Sequence, residues 1–141
     1  MKTNAYWMVA LAGLALAACN KAESPAEVQH DVTAAQAEGQ KDVADAQADA
    51  QENVADQQQD VAQAAQDNDR EDMQDAAKDV NQAQAKGDYK VAVAQAEANH
   101  KVAMEKCEAL KGDAQKDCKD RADADLDRAK RDAETRRDGS G

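Results

Sequence analysis

The chain has 141 residues, 29 acidic and 18 basic, for a formal net charge of -11. Of its 42% hydrophobic residues most are alanine, Ile and Phe are absent, and there is one Trp. Alanine buries little area, so this composition excludes a large globular core and argues against an enzyme with a walled pocket.

Met1-Lys2 opens a short positive segment, and Tyr6 to Ala18 is almost wholly apolar. That run is too short to span a bilayer as a mature helix and fits the apolar region of a secretory signal. It ends in Leu16-Ala17-Ala18-Cys19, which resembles the lipobox of bacterial lipoproteins. The resemblance implies cleavage between Ala18 and Cys19, acyl chains on Cys19, and attachment to a membrane through that lipid. Two or three acyl chains anchor stably. Asn20 after the cysteine, by resemblance to enteric lipoproteins, implies the periplasmic face of the outer membrane. The predicted segments are therefore a signal over 1–18 and a lipidated tether over 19–27.

Ser24, Pro25 and Glu27 have the spacing of a helix start, with Ser24 as N-cap, Pro25 at the first helical position and Glu27 closing a capping box. From there to residue 78 the chain is acidic and rich in Ala and Gln, both good helix formers. Valines mark an 11-residue period at Val32, Val43 and Val54, and again at Val80, Val91 and Val102. Residues 31–41 read DVTAAQAEGQK and 42–52 DVADAQADAQE; 79–89 read DVNQAQAKGDY and 90–100 KVAVAQAEANH. Eleven residues are close to three helical turns, so the Val positions form a narrow seam, in four repeats with Ala three later (Ala35, Ala46, Ala83, Ala94) and Gly or Ala seven later (Gly39, Ala50, Gly87, Ala98). The seam is open to self-pairing or to solvation. Over about residues 31–111 it resembles the 11-residue repeats of late-embryogenesis-abundant proteins.

Charge divides the chain. Residues 23–79 hold 16 acids and three bases, whereas 80–141 hold 13 of each. Glu52, Asp56 and Asp60 repel along one helical face, and the acidic half should also repel nucleic acid. The second half offers i,i+4 pairs at Glu97–Lys101, Asp117–Arg121, Asp127–Arg131 and Asp132–Arg136. The cluster Asp67-Asn68-Asp69-Arg70-Glu71-Asp72 predicts a helix break and a new N-terminus. It lacks the glycine and spacing of an EF-hand loop.

Residues 79–137 contain Cys107 and Cys118. On one helix they would lie about 16 Å apart, too far for a disulfide. Gly112 and Asp113 between them predict a turn, Gly112 left-handed and Asp113 capping the next helix. A hairpin of about 89–111 and 113–136 would then face Val93, His100, Met104, Cys107 and Leu110 against Cys118, Ala122, Leu126, Ala129 and Ala133, with a disulfide near the turn. Zinc would need more ligands than His100 adds, and a catalytic thiol pair is usually Cys-x-x-Cys. Tyr89 to Cys118 is similar to the C-terminal region of small proteobacterial lipoproteins. Neither His30 nor His100 sits in a recognisable triad. Residues 138–141 are a short tail without the terminal Lys of the murein lipoprotein family.

The expected fold is all-α: extended helices and a C-terminal disulfide-linked helical hairpin, without a large core. The expected function is a non-enzymatic, lipid-anchored envelope spacer or stress protectant, with no catalytic residues, metal or cofactor. Its expected partners are the membrane and either an envelope protein or a second copy. The alternative is a protein-binding module that presents the hairpin on an acidic stalk.

Overall fold

The computed structural model describes residues 22–139; the lipobox residues Ala18 and Cys19 lie outside them. The protein is all-α among the described residues. It has α1 (Pro25–Asp67), α2 (Arg70–Cys107) and α3 (Gly112–Asp138). α1 packs along α2 and α2 along α3, while α1 and α3 do not pack on each other.

The first two helix starts follow from local chemistry. Ser24 Oγ accepts from the Glu27 amide at 3.3 Å, and the Glu27 carboxylate accepts from the Ser24 amide at 2.9 Å. These bonds hold the Glu27 carboxyl below its ordinary pKa. The acidic cluster breaks the helix as predicted. Asn68 caps α1 in the left-handed region (φ 56°), and the Asp69 carboxylate accepts from the Glu71 and Asp72 amides at 3.0 and 3.1 Å. α2 then runs without interruption from Arg70 through the second repeat block to Cys107. The division between residues 78 and 79 is thus no helix boundary, and the hairpin's first arm is the C-terminal part of the longer α2.

The valine seam is filled within the chain. Two glycines fix its register. A Cβ on Gly39 would lie 2.5 Å from Ala98 Cβ, and one on Gly87 would lie 2.7 Å from Ala50 Cβ. Each pair sets a glycine of one helix against an alanine of the other, with the order inverted between the two pairs. Extending this antiparallel register sets Val43 level with Ala94, Val54 with Ala83, and Val91 with Ala46, all half-buried. Each branched side chain therefore meets a small one. The 11-residue period keeps the seam straight over the length of both helices. α1 is consequently one side of a helix pair rather than a free stalk.

The face of α2 toward α3 is about half a turn round from the face toward α1. It carries Ala92, Ala96, Ala103 and Cys107, with Ala96 and Cys107 buried. Opposite them stand the predicted Cys118, Ala122, Leu126, Ala129 and Ala133. The Arg137 guanidinium lies 4.6 Å from the Tyr89 ring centroid, near the end of α3. Further toward the α2 N-terminus the same face turns polar, with exposed Asn81, Lys78 and Gln74. The apolar face of α2 ends about where α3 does.

The predicted pair Glu97–Lys101 is replaced by contacts between helices. Lys101 reaches Glu38 at 2.8 Å and Asp42 at 3.1 Å on α1, and these carboxylates raise its pKa. Glu97 pairs with Lys130 of α3 at 2.7 Å. Within α3, Arg121 and Arg136 donate through Nε to the carbonyls of Asp117 and Asp132. Glu97–Lys101 was expected from spacing alone; each residue instead has a carboxylate or ammonium facing it across a seam.

Candidate functional site

The end of the array where the tether enters holds the greatest concentration of distinctive chemistry. Cys107 and Cys118 are joined there, with Cα atoms 5.7 Å apart and Cys107 fully buried. The turn between them departs from expectation in detail. α2 ends at Cys107, so Leu110 lies past the helix in the turn, 40% exposed, instead of completing the hairpin stripe. Gly112 has φ +58° as predicted, and only a residue without Cβ takes this conformation freely. Asp113, however, does not cap α3. Lys111 is the N-cap, without a side-chain bond, and Asp113 sits in the first turn, where its charge meets the positive end of the helix dipole.

The backbone N–H of Glu23 donates to the Glu108 carbonyl at 3.0 Å. This bond ties the tether to the hairpin turn, across the sequence from it. Glu108 also binds Lys119 at 2.5 Å and accepts from Gln115 at 2.8 Å. Beside this tie, carboxylate oxygens of Glu23, Asp31 and Glu105 lie within 4.8 Å of one another. Glu23 Oε2 is shielded from solvent and has no hydrogen-bond partner. Desolvation, and then the charges of Asp31, Glu108, Glu105 and Glu27, push the Glu23 carboxyl above its ordinary pKa.

The sign of the resulting pH dependence follows from linkage. A carboxyl that binds its proton more readily in the folded chain adds stability as pH falls toward its ordinary value of 4.5. Glu23→Gln removes the clustered charge, so it should raise the melting temperature at pH 7. That advantage should shrink on acidification, as the wild-type side chain takes up its proton. Paired thermal melts of wild type and E23Q across this range check both points; an advantage independent of pH would contradict them.

The histidines stand apart from one another. His30 is exposed and pairs with neighbouring Asp31 at 2.8 Å. His100 Nε2 meets Asp123 Oδ1 at 2.6 Å across the α2–α3 seam, where it ties the hairpin arms together. Asp69, in the loop compared with an EF-hand, spends its side chain on capping α2. The grooves along the helix seams are open to solvent and lined mainly by Ala, Gln, Asn and charged residues. Among the described residues no helix is long and apolar enough to cross a membrane.

No protein-family model, curated protein or solved structure matches the chain. Sequence reasoning missed the tether–turn tie and the acidic cluster. Glu23, Asp31, Glu105 and Glu108 are ordinary members of an acid-rich chain, and only the return of α2 along α1 brings them together.

Proposed function

We propose that this chain is a lipid-anchored protein of the bacterial cell envelope, attached through Cys19 to the periplasmic face of the outer membrane, where its helices act as a spacer or protective scaffold. The observation that carries the reading is the order of one positive charge, an apolar run and Leu16-Ala17-Ala18-Cys19. The disulfide agrees with an oxidising compartment. A 43-residue α1 extends about 65 Å, a length suited to holding a charged surface away from a membrane. The protein-binding alternative would have to use outward faces, because both apolar faces of α2 are already covered.

Metabolic labelling with a palmitate analogue tests the anchor. Wild type should take up label and fractionate with the outer membrane, and Cys19→Ser should do neither. Equal labelling of the two, or an unlabelled wild type in the soluble periplasm, would overturn the reading.

A further inference from the structure

We infer that the hairpin turn Glu108–Gly112 is a second membrane contact, seated on the phospholipid headgroup layer, so that the array stands with its disulfide end down and its Asn68 end outward. The inference rests on the lipid anchor at Cys19. Glu23 is tied by its backbone to Glu108. Cys19 precedes Glu23 by four residues, and four residues of chain span at most about 14 Å. An acylated Cys19 therefore brings the bilayer surface to this turn.

The turn has the residues for that contact. Leu110 is the exposed large hydrophobic side chain among the described residues. Lys106 and Lys111 flank it, both exposed. An apolar side chain beside lysines that can extend to phosphates is the pattern of interfacial contacts. Of the carboxylates at this end, Glu108 is engaged by Lys119 and Gln115, whereas the Glu23, Asp31 and Glu105 cluster opposes an anionic leaflet, so Leu110 and the two lysines carry the contact.

The long faces offer no competing contact. Among the described residues they hold no other exposed large hydrophobic side chain, and toward the Asn68 turn they carry Glu52, Asp56, Asp60, Asp67, Glu71 and Asp72. An anionic leaflet repels such a surface. The acidic end would then stand about 60 Å from the bilayer.

The only tryptophan, Trp7, precedes the cleavage site, so a single new tryptophan reports its own surroundings. The mature lipidated chain from Cys19 onward, carrying Leu110→Trp or, separately, Gln66→Trp near the outer end, would be reconstituted in vesicles of phosphatidylethanolamine and phosphatidylglycerol with brominated acyl chains. L110W should lose roughly half or more of its emission and shift to the blue, while Q66W changes little. Floating protein in which L110W is quenched no more than Q66W would overturn the inference and leave the anchor intact. A mass without acyl chains, with failure to float, would overturn the anchor and the inference with it.

Discussion

Removing the Cys107–Cys118 bridge is expected to release α3 while α1 and α2 stay paired. α3 packs only on α2, and its buried residues are just Ala122 and Ala133. The ion pairs that join it to α2 (His100–Asp123, Lys119–Glu108 and Lys130–Glu97) each have an exposed or half-exposed partner. Such pairs contribute roughly 0–1 kcal/mol each. Closing a loop of this size contributes about 3 kcal/mol, which exceeds any single contact α3 makes. In C107A/C118A the amides of residues 113–137 should lose their hydrogen-exchange protection, while those near Val43, Ala94 and Ala98 keep theirs. The 27 residues of α3 are a quarter of those in the three helices, so helicity should fall by no more than that share. Equal loss of protection in all three helices would show that the bridge holds the whole array.

The second large effect concerns two glycines that look misplaced. Glycine in a helix interior costs roughly 1 kcal/mol relative to alanine, so Gly39→Ala in a solvated helix should stabilise. Here the new methyl would meet Ala98 Cβ at 2.5 Å and its Cα at 3.1 Å, both fixed to a neighbouring backbone. Forcing the helices apart costs roughly 1–3 kcal/mol, and it also loosens the adjoining Val–Ala layers. G39A is therefore expected to lower stability despite its better helix propensity, and Gly39→Leu to lower it further. Ala98→Gly removes the opposing methyl, so G39A/A98G should recover most of the loss. This exchange copies the order already present at Ala50 and Gly87. Chemical denaturation of the two single variants and the double measures the coupling; additivity would place Gly39 away from α2.

These glycines also show where the sequence was silent. Local features were legible because each needs only a few neighbouring residues: Ser24-Pro25 with Glu27, the helix break within Asp67–Asp72, and Gly112 between two cysteines. The partner of the valine seam was not. Val32, Val43 and Val54 on a line read the same way for a solvated helix, a helix paired with a second copy, and one paired within its own chain. The discriminating signal was the place of Gly39 and Gly87, both seven residues after a Val in repeats that otherwise favour alanine. A glycine retained at that cost marks a close approach, and its inverted match to Ala98 and Ala50 marks an antiparallel one. The hairpin was half legible for a related reason. The α3 stripe was found because Leu126 and Cys118 stand out, and on α2 Cys107 and His100 were found likewise, whereas Ala92, Ala96 and Ala103 were not. In a chain where alanine is everywhere, the alanines that pack do not announce themselves. Leu110 was assigned to packing on its hydrophobicity, although the helix ends three residues before it.

The central claim is that α1 folds back along α2 and thereby brings the tether to the disulfide end. Spin labels on Gln36→Cys and Asn99→Cys test it directly. Both residues are exposed and line one groove between α1 and α2. Cys107 and Cys118 are already bonded to each other, and Cys19→Ser in the same chain leaves the two introduced thiols for the labels. The folded-back pair predicts a single narrow distance distribution at about 20 Å or less, set by neighbouring helix axes and the label arms. Helices extending end to end from the Asn68 turn would place the labels beyond about 60 Å, and that result would contradict it.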